Sequence, residues 1–168
     1  MGQVTAFYNE LMFSLRLVSV LTLIVWIGGA ITIAGLVAPS AFAVLPSTDA
    51  AHVVGETLRR FHFVGYTAGV VLVGTLVLAA LIGPRPHAFW WRLWIAGLML
   101  VATLVSGLWV SGRVADLRHE IGVPVSSLRP ADGRRVAFGR WHALSTALTA
   151  FTIAGGLVLV YWEAREAA

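Results

Sequence analysis

The chain has 168 residues, of which 58% are hydrophobic and only 12% are charged, and its formal net charge is +4. An ordinary soluble domain carries about 25% charged residues, so this composition indicates a membrane protein instead. Neither cysteine nor lysine occurs in the sequence. Their absence excludes disulfides, thiolate-bound metals, covalently attached haem, P-loops and lysine Schiff bases.

Four long apolar segments without charged residues follow one another along the chain. A membrane-spanning helix needs about 20 mainly apolar residues to cross about 30 Å of hydrocarbon. We therefore predict four transmembrane helices, at approximately residues 17–38, 61–82, 93–112 and 141–162. The predicted fold is all-α, with residues 1–168 forming a single domain, an antiparallel bundle of four transmembrane helices.

The first span, residues 17–38, is followed by Ala41-Phe42-Ala43, which has the form of a signal-peptide cleavage site. Its apolar run of 22 residues is longer than the roughly 7–15 residues of a signal-peptide core. We therefore expect this segment to be retained as a membrane helix. Trp26, near its middle, is expected to pack inside the bundle or to face lipid.

The first connection, residues 39–60, has the pattern of an amphipathic helix. Asp49 stands at its predicted start, where an acid favours the helix dipole. Beyond it, Ala50, Val54 and Leu58 fall on one face, while polar residues fall on another: His52, Glu56, Arg59 and Arg60. We predict a short interfacial amphipathic helix that leads directly into the second span.

Small residues recur at helix-packing intervals in every predicted span. In lipid such positions allow close approach of backbones and hydrogen bonds between helices. The predicted packing positions are Gly28, Thr32 and Gly35, then Gly65 and Gly69, then Thr103 and Gly107, and finally Ser145, Thr149, Thr152 and Gly156.

The third connection, residues 113–140, is expected to continue the third helix to Ile121, to break at Pro124 and Pro130, and to restart near Asp132. Together with connection 39–60 it holds eight of the twelve arginines. The positive-inside rule therefore places both connections in the cytoplasm and both termini outside, for a multi-pass protein of the inner (plasma) membrane. Acidic residues are interleaved with these arginines, so we expect no nucleic-acid binding.

Histidines are the candidate ligands for a metal. No Asp, Glu or Arg lies within a predicted span, which argues against buried proton relays and against catalysis at mid-membrane. At 100° per residue, His62 falls on the face of Gly65 and His142 on the face of Ser145, so both imidazoles are expected to converge. Copper, zinc or haem iron would suit such a site, and His52 and Glu56 would extend it. The alternative is that both imidazoles snorkel to the membrane interface.

Two stretches of the sequence resemble a known family. One runs from Trp26-Ile27-Gly28-Gly29 through Pro39 to Phe42, and the other is Phe138-Gly139-Arg140-Trp141-His142-Ala143-Leu144-Ser145. They resemble the domain of unknown function typified by transmembrane protein 205, and the resemblance covers nearly the whole chain. It implies four transmembrane helices and no settled activity. His142 and Ser145 match a recurrent motif in its fourth helix.

A looser similarity is to membrane proteins of the copper-resistance-D type and of the haem-binding protoporphyrinogen-oxidase type. The haem-binding type carries a histidine in its first span, and this sequence has none there.

Three functions follow from these observations. The leading hypothesis is a binding or accessory component of the membrane without catalysis or cofactor, whose partners are the lipid bilayer and other membrane subunits or copies of itself. The alternative is a copper- or haem-handling protein that uses His62 and His142. A second alternative is an oligomer that facilitates passage of a small solute.

Overall fold

A computed structural model describes residues 2–167, and this part of the chain is helical apart from short connections. The first long helix consists of α1 (Gly2–Thr32), a π-helical turn (Ile33–Val37) and α2 (Ala38–Val44). The second is α3 (Ser47–Ile82). The third consists of α4 (Phe89–Val105), a second π-helical turn (Ser106–Val110) and α5 (Ser111–Ile121). A 3₁₀ turn (Val125–Ser127) precedes α6 (Gly133–Ala167).

These helices form an antiparallel bundle in which neighbours in the chain pack together and the last helix closes on the first. α1 packs on α3, α3 on α4, α4 on α6, and α6 on α1. We call the end where α1 begins, α6 ends and residues 83–88 lie the termini end. The opposite end, with residues 45–46 and 122–132, is the loop end. Within residues 2–167, four helices are long and apolar enough to cross a membrane. The all-α, multi-pass fold is therefore confirmed.

The core of the bundle lies midway between its two ends. Its most deeply buried large side chains are Leu23, Trp26, Leu72 and Met99, each at most 1% exposed. Trp26 is thus inside the bundle and not in lipid. Its indole fits against Gly65, where an added Cβ would lie 3.1 Å from Trp26 Nε1.

The long helices extend beyond the predicted spans at both ends. α3 has 36 residues, about 54 Å at about 1.5 Å per residue, against about 30 Å of hydrocarbon. The predicted interfacial amphipathic helix is therefore not a separate element but the first turns of α3. Since no proline stands between Ser47 and Ile82, the helix runs without interruption from one segment into the other.

The third connection matches its prediction. α5 ends at Ile121, where Gly122 takes a positive φ of 65°, a conformation that glycine adopts at little cost. α6 restarts at Gly133, and Asp132 Oδ1 accepts a hydrogen bond of 2.8 Å from the Arg134 backbone N–H. The Arg134 side chain beside Asp132 also holds the pKa of this carboxyl below its usual range. Asp132 therefore serves as a helix N-cap that is ionised at neutral pH.

The small-residue faces pack as predicted in the second and third spans. Gly65 and Gly69 are buried on α3, and an added Cβ would meet Thr103 Cγ2 at 2.8 Å and Leu100 Cδ1 at 2.6 Å, respectively. In α6, Thr152 is only 6% exposed, and Gly156 is buried against Ile27.

The predicted packing face of the first span is wrong. Gly28, Thr32 and Gly35 are exposed, and apart from the chain neighbours and the helix's own backbone no described atom lies within 4 Å of a Cβ added at Gly28 or Gly35. The packed glycine is Gly29 instead, against which the Phe61 ring lies. The core residues Leu23, Trp26 and Ile27 fix which face of α1 turns inward, and Gly28 falls outside it.

Exposed tryptophans mark two levels along the bundle. Trp90, Trp91 and Trp94 project from α4 at the termini end and are 59–69% exposed. At the loop end, Trp109 lies 6.3 Å from Trp141 between ring centroids. From Trp91 to Trp109 the helix rises about 27 Å, close to the thickness of a bilayer's hydrocarbon. These rings are therefore placed where aromatic belts meet the two interfaces.

Candidate functional site

Three charged side chains from three helices converge at the termini end. Arg16 comes from α1, Arg92 from the first turn of α4 and Glu163 from the last turns of α6. Arg92 is 2% exposed and Glu163 is 6% exposed. A buried ion pair of this kind is retained only where opposite charges and hydrogen bonds offset the loss of hydration.

Glu163 is bound from two sides. Arg92 Nη2 donates a hydrogen bond to Glu163 Oε1. Arg16 Nη2 donates to the backbone carbonyl of Glu163 over 3.2 Å, and Arg16 Nε lies 3.8 Å from Glu163 Oε2. Glu163 Oε2 is buried and accepts no hydrogen bond from any residue between 2 and 167. Glu163 Oε2 can therefore still accept a hydrogen bond from a ligand or a water molecule.

A cavity of about 340 Å³ opens beside this ion pair. Small-molecule sites have volumes of about 300–1,000 Å³, so the space suits a small ligand or part of a larger one. Its walls come from α1, the end of α3, the 83–88 connection, α4 and α6. They consist of Tyr8, Met12, Leu15, Arg16, Ser19, Thr75, Leu76, Ala79, Pro84, Arg85, Pro86, Arg92 and Glu163.

Two hydroxyl groups bond to each other in the cavity wall. Ser19 Oγ and Thr75 Oγ1 are 2.8 Å apart, and Thr75 Oγ1 donates to the carbonyl of Leu72 over 3.0 Å. Because the Thr75 proton goes to Leu72, Ser19 donates to Thr75. Neither hydroxyl proton is then available to a ligand, so the donors that face the cavity are its arginines and Tyr8.

Positive charge prevails in the cavity. Three arginines and one glutamate are the charged residues among its described lining. The Arg85 guanidinium carbon lies 5.7 Å from the ring centroid of Trp90, a cation–π contact that holds Arg85 at the rim. The cavity therefore favours a ligand with an anionic group.

The predicted spans did not include this ion pair. Each of its three residues is adjacent to an apolar run, where a charged residue ordinarily marks the end of a span: Arg16, Arg92 and Glu163. One signal was available: in an antiparallel bundle all three positions fall at the same end. Burial of the charges depends on the rotation of each helix, which apolar length alone does not determine.

His62 lies between α3 and the second π-helical turn. Its Nε2 is 3.3 Å from Ser106 Oγ, and its ring stacks on Tyr66 with centroids 6.2 Å apart. Gly107 fits against the same two rings, because a Cβ added there would overlap the Tyr66 hydroxyl and lie 2.8 Å from His62 Cγ. His62 is therefore a packed residue of the α3–α4 contact.

His142 has different surroundings. It is exposed on α6 and stacks on Phe138 of the same helix, with centroids 5.8 Å apart. The described structure therefore does not bring His62 and His142 to a common inward face. The fourth span turns its small residues inward at Thr152 and Gly156, whereas His142 lies on the outer surface.

His52 and Glu56, which were predicted to extend the histidine site, lie on the first turns of α3. His52 is exposed. Both oxygens of Glu56 accept hydrogen bonds of 2.8 Å, from Arg59 and Arg60, so this carboxylate is engaged in surface ion pairs.

Metal binding at the histidines stays a prediction. Among residues 2–167, no group of three or more His, Cys, Asp or Glu side chains is arranged to hold a metal ion. Elemental analysis of the purified protein tests a two-histidine site. Copper, zinc or iron near one per chain that is lost in a His62→Ala/His142→Ala variant would confirm it, and equal contents in both proteins would contradict it.

Comparison with known proteins identifies a family and no further relative. No curated protein and no solved structure matches the chain. Residues 21–122 match the family model described as "Domain of unknown function (DUF4149)". The matched residues include Thr75, Arg85 and Arg92 of the cavity, while Arg16 and Glu163 lie outside them. The narrower resemblance to transmembrane protein 205 and the copper- and haem-type similarities stay predictions. Since the match covers more than half of a four-helix membrane protein, the chain belongs to the DUF4149 family.

Proposed function

We propose that this protein is a non-catalytic binding component of the membrane, and that the cavity at the termini end is its ligand site. The observation that carries this proposal is the Oε2 atom of Glu163, a buried acceptor without a hydrogen bond from the described residues. A buried acceptor atom left without a hydrogen bond costs about 1–3 kcal/mol, and more where its group is charged. Such a group persists where a ligand or an ordered water supplies the missing partner.

The surroundings of the cavity support binding more than passage of a solute. Leu76 in the cavity wall is 3% exposed. Leu23, Trp26 and Met99 fill the middle of the bundle with at most 1% exposure. A ligand that enters from the termini end therefore meets a close-packed apolar core. This arrangement favours a site that holds its ligand.

Filling the cavity is expected to remove the bound ligand. Ala79 lines the cavity and is 8% exposed, so Ala79→Phe places a ring in that space. Its neighbour Leu78 is 43% exposed on the lipid-facing side, which makes Leu78→Phe a matched control. Native mass spectrometry of protein extracted in mild detergent measures the bound mass directly.

We expect a small-molecule adduct of constant mass on the wild type and on Leu78→Phe, and its loss from Ala79→Phe. A wild type without an adduct would contradict the proposal. So would an Ala79→Phe protein that retains the same adduct as the wild type.

We also propose that the loop end faces the cytoplasm of an inner-membrane protein, which places the cavity outside. Eight arginines in residues 39–60 and 113–140, against four elsewhere, support this orientation. Because the chain has no cysteine, single cysteines report it without background. In intact cells, Ser127→Cys is expected to be protected from an impermeant thiol reagent and His87→Cys to be labelled. The reverse pattern would invert the orientation.

A further inference from the structure

The cationic groups of the cavity point to a particular anion. Arg16 and Arg85 line it together with the Arg92–Glu163 pair. Arginine presents a planar array of N–H donors that matches phosphate oxygens, often through two parallel hydrogen bonds. Arg16 remains 38% exposed beside the pair, and Arg85 is exposed at the rim. Both side chains are therefore accessible to an incoming phosphate.

The depth of the cavity coincides with the level of lipid headgroups. Arg92 lies within one or two residues of Trp90, Trp91 and Trp94, whose exposed rings mark the membrane interface on the same helix turns. Arg85 stacks over Trp90 at this level. At the interface the abundant phosphate is the phosphodiester of the bilayer's own lipids, and guanidinium groups at that level can donate hydrogen bonds to its oxygens.

Glu163 indicates that the ligand also carries a hydrogen-bond donor. Its Oε2 atom is a carboxylate acceptor inside a cavity that otherwise presents cations. A phosphate alone leaves this oxygen without a donor and brings a like charge close to it. A headgroup that carries an N–H or O–H group a few bonds from its phosphate satisfies both sides of the cavity together.

We infer that the ligand is a phosphodiester bearing an ammonium or hydroxyl donor, as in phosphatidylethanolamine or phosphatidylglycerol, with its phosphate on Arg16 and Arg85 and its donor on Glu163 Oε2. This inference rests on the proposed function of the cavity. Phosphatidylcholine is the informative comparison, since it has the same phosphate but a quaternary ammonium without an N–H group.

Lipid titration followed by native mass spectrometry tests this assignment. Phosphatidylethanolamine, phosphatidylglycerol and phosphatidylcholine with identical acyl chains are added separately to delipidated protein in detergent. We expect the first two to bind about tenfold more tightly than phosphatidylcholine, a difference of about 1.4 kcal/mol. Equal affinities for the three lipids would overturn the inference.

Variants separate the roles of the two sides of the cavity. Glu163→Gln is expected to reduce the tenfold preference to about threefold or less, because an uncharged amide oxygen accepts a weaker hydrogen bond than a carboxylate. Arg85→Gln, which leaves the buried pair intact, is expected to weaken all three lipids by at least about threefold, because it removes a phosphate ligand common to them. Arg113→Gln, an exposed arginine at the loop end, is the matched control and should change none. Identical binding by Arg85→Gln and Arg113→Gln would contradict the assignment.

Two further results would show whether the lipid assignment or the proposed ligand site itself is wrong. Soluble glycerophosphoethanolamine that binds as tightly as phosphatidylethanolamine would support the headgroup chemistry and overturn a membrane source. If Ala79→Phe removes a native adduct but the wild type does not prefer protic headgroups, the cavity binds another class of ligand. In that case this inference fails while the proposed function stands.

Discussion

Replacement of Arg92 by methionine is expected to lower the free energy of unfolding by about 3–5 kcal/mol. The substitution keeps the volume of the side chain but leaves Glu163 as a buried carboxylate without the hydrogen bond from Arg92 Nη2. Arg16 compensates only in part, because its Nη2 is engaged with the backbone carbonyl of Glu163 and its Nε lies 3.8 Å from Glu163 Oε2, beyond hydrogen-bond distance. Unfolding by denaturant in detergent micelles, followed by tryptophan fluorescence, measures the difference.

A double variant distinguishes loss of the pair from loss of packing. Arg92→Met/Glu163→Leu replaces both charges by apolar groups, and such replacements are often neutral or stabilising. We expect it to recover most of the stability that Arg92→Met loses. A double variant no more stable than Arg92→Met would show that the cost lies in packing and not in the stranded charge. Arg85→Met, at the exposed rim, should have little effect on unfolding.

Alanine in place of Gly107 is expected to destabilise the bundle by about 1–3 kcal/mol, the usual cost of overpacking. The added methyl group would overlap the Tyr66 hydroxyl and lie 2.8 Å from His62 Cγ. Both rings are held in the contact between α3 and the second π-helical turn, so they have little room to retreat. The same denaturation measurement applies.

Gly97 is the matched control for this substitution. It lies in α4 of the same long helix, and no described atom is within 4 Å of a Cβ added there. Gly97→Ala should therefore raise stability by about 0.5–1 kcal/mol through the better helix propensity of alanine. Tyr66→Phe combined with Gly107→Ala should recover part of the loss. Equal effects of the two alanine substitutions would contradict the overlap at Gly107.

The sequence predicts the membrane spans well because their signal depends only on length and polarity. An uncharged run such as residues 17–38 has to be helical in lipid, since every backbone group needs an internal partner there. Glycine and proline likewise predict the break between α5 and α6. Helix termini are less predictable, because α3 continues outside hydrocarbon wherever no residue stops it.

The candidate site could not be predicted from the sequence because the rotation of each helix about its axis, which decides which side chains face the bundle interior, was not known. A 100° step per residue separates Gly28, which is exposed, from Gly29, which packs on Phe61. The same uncertainty applies to Arg92 and Glu163, because their positions next to apolar runs do not reveal that both side chains are buried. His142 is a further example of this uncertainty. It is exposed, whereas Thr152, further along α6, is buried. Sequence periodicity is a weak guide when all faces of a helix are apolar.

The π-helical turn at Ser106–Val110 has a consequence for the register of the third long helix. The Ser111 backbone N–H bonds to the carbonyl of Ser106, five residues back, so this turn holds one residue more than an α-helical turn. If the same residues were wound as a regular α-helix, all of α5 would be turned by about 100° relative to α4. Arg118 would then leave the carbonyl of Ala51, to which its Nη1 donates over 2.9 Å. The extra residue of the π-helical turn thus sets the rotation of α5 independently of α4, so that α4 faces the bundle core while α5 packs on α6 and reaches the first turns of α3 through Arg118.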